Sequence, residues 1–257
     1  MPALLIFGGI LALIGIIVTL VNIKNIRRRS RILKTPTSAI VQAPGNGLVE
    51  IKGRIAPSEE GIVQAPFSGR HAVWVRIVVE ERRSSGRNTY WATVINESDG
   101  RTFMVDDGSG QVARVYPAGA NVMLERSNVA SSGTFNDAPP HLQGFLASRG
   151  VSTTGLFGFN KAMRYQEEVL APGDAVYALG PSRRVAGPPM PDGYRMGPSS
   201  QLVMYAERGA EGELLLTNKS EEQLVSKLLW GFLAGCIMSG LGTLMLMGGA
   251  LMALLDD

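Results

Sequence analysis

Two uncharged apolar runs bracket the chain. Residues 2–23 carry no charged side chain. Neither do residues 228–255, a run of 28 that is followed by Asp256 and Asp257. About 20 apolar residues cross the hydrocarbon core of a bilayer, so each run predicts a membrane-spanning helix, the second with length to spare for tilt. Between them the period changes to two. The clearest case is 71–81, where Val73, Val75, Ile77 and Val79 alternate with Trp74, Arg76, Val78 and Glu80, as a strand requires. Further strands are expected at 48–55, 61–66, 90–96, 101–105, 111–116, 122–125, 162–170, 175–179, 202–206 and 214–217. Turn signals separate them at 82–88, at Asp99-Gly100 and at 106–110. The regular spacing reads as a meander of antiparallel strands closing into a small barrel or sandwich. Residues 35–47 read as a linker, 127–158 as a long loop with a short helix at 141–148, and 183–200 as an irregular excursion.

Ser220-Glu221-Glu222-Gln223 has the form of a capping box. A helix opened there meets no glycine or proline until Gly231, so it should run unbroken from the polar body into the second apolar run. The expected architecture is a membrane protein: two transmembrane α-helices bracketing a mainly β (α+β) soluble domain. Its segments are helix 2–23, a basic juxtamembrane segment and linker 24–47, a β-rich domain 48–218, and a helix 219–255.

Charge changes the picture through its distribution. Lys and Arg number 25 against 22 acidic residues, but Lys24, Arg27, Arg28, Arg29, Arg31 and Lys34 gather just after the first apolar run. The 19 basic and 20 acidic residues elsewhere between Thr35 and Lys227 leave the body near neutrality, so a nucleic-acid partner is not expected. The cluster predicts a contact with anionic headgroups and a cytoplasmic body, with both termini outside. No Lys or Arg precedes the first run after Met1, which favours an anchor over a cleaved signal. Cys236 stands alone, and the histidines are His71 and His141. That supply excludes an intramolecular disulfide and falls short of the four ligands of a structural zinc site. No cofactor is expected.

Several stretches, taken together in order, resemble the GIDE domain, also called BAM ("beside a membrane"), of MULAN-type mitochondrial ubiquitin ligases and their prokaryotic relatives. They are VEIKGRIAP at 49–57, Pro66 with Ser68-Gly69, WVRIVVEE at 74–81, FMVDDGSG at 103–110, RYQEEVLAPGDAVYALG at 164–180 and LLLTNKSEEQL at 214–224. The resemblance implies a membrane-flanked domain over about 36–225 and makes a LemA-type membrane protein a conceivable partner. The ligase relatives carry a zinc-binding RING after the second span. This sequence stops at Asp257 without the cysteines and histidines for one, so ligase activity is not expected. The resemblance also implies a domain lying between two membranes, against the cytoplasmic placement that the charges favour.

Candidate chemistry is sparse. Asp106-Asp107-Gly108-Ser109-Gly110 is the most site-like patch, but it lacks the spacing of a calcium loop and reads more simply as a turn whose aspartates cap backbone N–H groups. Glu80 and Glu81 are expected at an exposed strand end. Neither histidine has a nucleophile signature nearby. Small residues fall on one face of each apolar run: Gly8, Ala12, Gly15 and Thr19 in the first, Gly231, Gly235, Ser239 and Thr243 in the second. Such faces let helices pack closely, within one chain or between chains. The expectation is a non-catalytic membrane scaffold, oligomeric or part of a complex. One alternative is an enzyme on lipid or envelope components, using Asp106, Asp107, Arg164 and Glu167. Another is an ion sensor at Asp106 and Asp107.

Overall fold

The computed structural model describes residues 2–155, 159–186, 200–207, 209 and 212–255. In chain order the elements are α1 (Pro2–Lys34), β1 (Asn46–Pro57), β2 (Val63–Gln64), β3 (His71–Ala72), β4 (Trp74–Ser85), β5 (Asn88–Gly100), β6 (Phe103–Asp106) and β7 (Val112–Val115). They continue with β8 (Asn121–Val122), β9 (Ser127–Ser132), α2 (Pro140–Ala147), β10 (Met163–Leu170), β11 (Ala175–Ala186), β12 (Ser200–Met204), β13 (Leu215–Thr217) and α3 (Glu221–Leu255). Two compact units result: Met1–Pro36 with Lys219–Asp257, and Thr37–Asn218.

The first unit is the helix pair. At 33 and 35 residues, each helix is about 50 Å long, and both are long and apolar enough to cross a membrane. The basic cluster is not a separate juxtamembrane segment. It forms the last turns of α1, because no glycine or proline interrupts the chain before Pro36, whose ring disfavours a helical Thr35. α3 opens as its capping sequence predicts. The Gln223 N–H donates to the Ser220 hydroxyl at 3.3 Å, and Glu221 and Glu222 occupy the first turn, where the helix dipole favours negative charge.

The second unit is mainly β. Strands β1, β6, β7, β12 and β11 pair in that order, and β11 pairs back onto β1 to close a five-stranded barrel. The first three barrel strands form a meander and β11 returns beside β1, the spatial order of a Greek key. β12 then folds back from β11 and closes parallel to β7. Order and parallel closure are those of an OB-type barrel. β1 serves two neighbours, pairing with β11 over Asn46–Arg54 and with β6 over Arg54–Pro57. The turn around the barrel falls at Gly53, where a Cβ would lie 2.5 Å from the Asp106 carbonyl oxygen. Ile51, Phe103, Val105, Val115, Ala178 and Leu202 fill the interior.

The uninterrupted meander expected from the pattern is not what forms. Strands β2–β5 leave the barrel between β1 and β6. Strands β9 and β10, with α2, leave it between β7 and β11, while β8 stays with the barrel sheet, paired parallel to β13 beside β11. These two excursions meet in a separate four-stranded sheet, β5-β4-β10-β9. One face of it packs on α2 through Val75, Ile77, Val79, Tyr165, Leu142 and Leu146, a second core.

Three local expectations change with it. Asp99-Gly100 is no hairpin turn: both residues sit in β5, opposite Val75 and Trp74. The glycine is there because a Cβ would stand 2.7 Å from the Trp74 ring. The supposed linker belongs to the domain, with Ile40 and Ala43 buried in the barrel core. The expected loop at 127–158 begins with a full edge strand, β9. The irregular excursion expected at 183–200 is strand at both ends, in β11 and β12, and its residues 187–199 lie outside the described residues.

Candidate functional site

The small residues of the two apolar helices face each other. Contacts run in opposite chain directions, Gly8 near Gly242 and Met245, Gly15 near Gly235 and Ser239, and Asn22 near Gly231, so the pair is antiparallel. A Cβ on Gly15 would lie 2.3 Å from the Ser239 nitrogen, and one on Gly242 would lie 2.3 Å from the Ala12 nitrogen. Gly235 meets Thr19, whose hydroxyl bonds back to the Gly15 carbonyl at 2.9 Å. Gly242, rather than Thr243, continues the stripe. Spacing by four drifts off a 3.6-residue period, and Thr243 ends up exposed, bonded to the Ser239 carbonyl. The small faces therefore join two helices of one chain. On the last turns of α1, Lys24, Arg27, Arg28, Arg31 and Lys34 fall within an arc of about 120°, with Arg29 outside it. Lys24, Arg27 and Lys34 are exposed, and Arg28, Arg29 and Arg31 are half-buried.

The aspartate patch is a turn. Asp106 accepts from the Gly108 N–H at 2.8 Å and Asp107 from the Ser109 N–H at 2.9 Å, while Gly108 and Gly110 supply positive φ. Asp107 also takes the Ile40 N–H at 2.7 Å, pinning the incoming chain to the barrel. Burial pushes the Asp107 carboxyl up, but hydrogen bonds from Ser109 and Ile40 outweigh it and hold the group below the usual carboxylate range.

Buried carboxylates elsewhere escape a sequence reading. Glu50 is 1% exposed although it points outward from the barrel. Its oxygens accept from the Tyr177 hydroxyl at 2.5 Å and from the Thr37 hydroxyl, and Lys52 lies 3.5 Å away. Ser38 donates its N–H to the Glu50 carbonyl, and Tyr177 pairs with Thr217. Thr37, the first residue of the domain, and Tyr177 of β11 thus converge on one buried acid, with the last strand β13 paired alongside Tyr177. In the second sheet, Glu80 is buried rather than solvent-facing, bonded to Arg164, which also covers the Trp91 ring at 4.5 Å. Its neighbour Glu81 is half-buried. Burial pushes its carboxyl up, yet hydrogen bonds from Arg83 and Lys161 bring it below the usual range. Glu168 takes Arg76 and Arg126.

Glu167, 2% exposed, uses both oxygens on backbone: the Phe67 N–H at 2.5 Å and the Ser68 N–H at 3.1 Å. The Phe67 ring stands edge-on to Phe145 and Tyr165, and its carbonyl lies 3.4 Å from His141 Nε2. Ser68 and Arg70 of the turn so fixed line a cleft of about 520 Å³ together with Glu167 and Val169 of β10. Ser127 and Val129 of the neighbouring strand β9, Leu124 and Glu125 before it, and Asp174, Ala175 and Asn218 complete the lining. Of the four residues that an enzyme would need together, only Glu167 lines this cleft. Asp106 and Asp107 cap their own turn, and Arg164 is engaged by Glu80 and Trp91. Among the described residues no cluster of three or more metal-ligating groups occurs.

Comparison with known protein families, with curated proteins and with solved structures finds no match for this chain.

Proposed function

We propose that the chain is a two-pass membrane protein whose barrel domain acts as a non-catalytic scaffold beside the bilayer. In this reading α1 and α3 cross the membrane as an antiparallel pair, the body faces the cytoplasm and both termini lie outside. The observation that carries it is double attachment. The two helices are built to pack on each other, the chain entering the domain is held at Glu50 through Thr37, and the last strand β13 is paired to β11. Tethering at both ends restricts the search for partners on the same surface and raises effective concentration. The basic end of α1 supports the orientation, since positive residues flanking a span favour the cytoplasmic side. The GIDE/BAM resemblance supports the membrane-flanked domain, and with it a LemA-type membrane protein as partner, while implying the opposite orientation; the charges decide the orientation adopted here. A homo-oligomer would have to form through surfaces other than the small helix faces, which are occupied within the chain.

The test is extraction of the tagged full chain in a mild detergent, followed by native mass measurement and identification of what co-purifies. A defined multimer or a stoichiometric membrane partner is the expected result. A bare monomer would count against the scaffold.

A further inference from the structure

We infer that the cleft between the 65–70 turn and β9 is a binding site for a compact zwitterionic group, a phosphate joined to a primary ammonium. Arg70 is presented at this cleft by a turn with little freedom. Its carbonyl accepts the Ala65 N–H at 2.8 Å, the Gly69 N–H returns to the Ala65 carbonyl at 2.9 Å, and buried Glu167 clamps the two N–H groups between. Burying a carboxylate is costly unless its oxygens are satisfied, and here the satisfied acid serves to fix the turn. Yet the Arg70 guanidinium itself has no hydrogen-bond or ion-pair partner among the described residues, and the side chains of Ser127 and Asn218 have none either. These side chains leave donors in the lining available to an anion, and the planar guanidinium fork suits phosphate oxygens.

The rest of the lining asks for a cation. Glu125 and Asp174 bring carboxylates to the same cleft, and only one oxygen of Asp174 is used in its own turn, by the Ala171 N–H at 2.9 Å. A simple anion would meet that negative charge, and a simple cation would meet Arg70. A ligand carrying both signs satisfies both. The lining holds no aromatic ring, and aromatic faces are what quaternary ammonium groups require, so a primary ammonium that donates hydrogen bonds is favoured over a choline. Leu124, Val129 and Val169 leave an apolar strip for attached carbon. The volume lies within the range of small-molecule sites, about 300–1,000 Å³. A phospholipid headgroup and a soluble aminoalkyl phosphate share this chemistry.

The test uses the full chain in a maltoside detergent, which carries neither phosphate nor amine. Dihexanoyl phosphatidylethanolamine, its phosphatidylcholine counterpart and free phosphoethanolamine are titrated by calorimetry. Saturable binding of the ethanolamine lipid, tighter than the choline lipid, is expected. Arg70→Gln, an exposed change whose folding is checked by thermal unfolding, should weaken binding about tenfold through loss of the guanidinium fork. Glu125→Gln, also exposed, should narrow the difference between the two lipids. Equal binding of free phosphoethanolamine would identify a soluble ligand, and binding of the lipid alone a headgroup. No saturable binding of either, an unchanged Arg70→Gln, or equal affinity for the choline lipid would overturn the inference. None of these readouts depends on a protein partner, so failure of the scaffold leaves the cleft separately tested.

Discussion

Tyr177 on β11 donates its hydroxyl proton to the Glu50 carboxylate on β1 across 2.5 Å, diagonally over a strand pair in which Lys52 is the direct opposite of Tyr177. Thr37 bonds the same carboxylate, so one hydroxyl from the domain's first residue and one from its fourth barrel strand share a buried acid. Removing a partner from a buried charged group costs about 1–3 kcal/mol or more. Tyr177→Phe should therefore destabilise the domain by roughly that amount. Chemical unfolding of the single variants and of Tyr177→Phe with Thr37→Val would show non-additive losses if the acid couples them.

The helix pair makes a sharper prediction. Gly242→Leu places its Cβ 2.3 Å from the Ala12 backbone nitrogen, whereas a Cβ at Gly240 meets nothing within 4 Å. Overpacking of this kind costs about 1–3 kcal/mol. Thermal unfolding in detergent should drop for Gly242→Leu and for Gly15→Leu, and stay unchanged for Gly240→Ala.

Acid should weaken the domain in a definite direction. Asp107 and Glu81 both lie below the usual carboxylate range when folded. The unfolded chain then binds protons first as pH falls. Their stabilisation is full above the ordinary carboxylate values, about 4, and is lost as pH descends through the lower folded values. Asp107→Asn should remove part of that slope. It should also cost about 1–2 kcal/mol at neutral pH, because an amide cannot accept both the Ser109 and Ile40 N–H groups. Unfolding midpoints measured from pH 7 to pH 3 check both statements.

Orientation is testable with a single thiol. Cys236 is the only cysteine, so Cys236→Ser with Arg87→Cys places one thiol at the exposed tip of the β4–β5 hairpin. A membrane-impermeant maleimide added to intact cells should label it only after permeabilisation if the body is cytoplasmic. Labelling of intact cells would reverse the orientation.

The long periodic features were legible in the chain because they rest on local chemistry. An uncharged run of 28 residues reads as a helix long enough to span a bilayer, whatever surrounds it. Alternation from Val73 to Val79 makes a strand, and Ser220 caps a helix through bonds three residues away. The positive end of α1 is equally visible, since charge needs no partner to be counted. The Asp106–Gly110 turn was readable for the same reason: its aspartates bond N–H groups two residues on.

What the tertiary structure decided was which distant segments meet. No local signal says that β1 shares its edges between β11 and β6, or that two excursions from the barrel combine into a second sheet. Asp99-Gly100 looked like a turn because glycine serves both tight turns and close approaches, and only the Trp74 ring opposite distinguishes them. Burial of glutamates is the least legible: Glu80 is expected at an exposed strand end, and nothing local marks Glu50. Glu80 and Glu50 have the sequence surroundings of solvent-facing charges, and they are buried because Arg164, Tyr177 and Thr37 arrive from 84, 127 and 13 residues away. A carboxylate's burial is set by whether donors can reach it in three dimensions, and sequence neighbours do not report that. The cleft arises the same way, from a turn pinned by Glu167 at a separation of 100 residues.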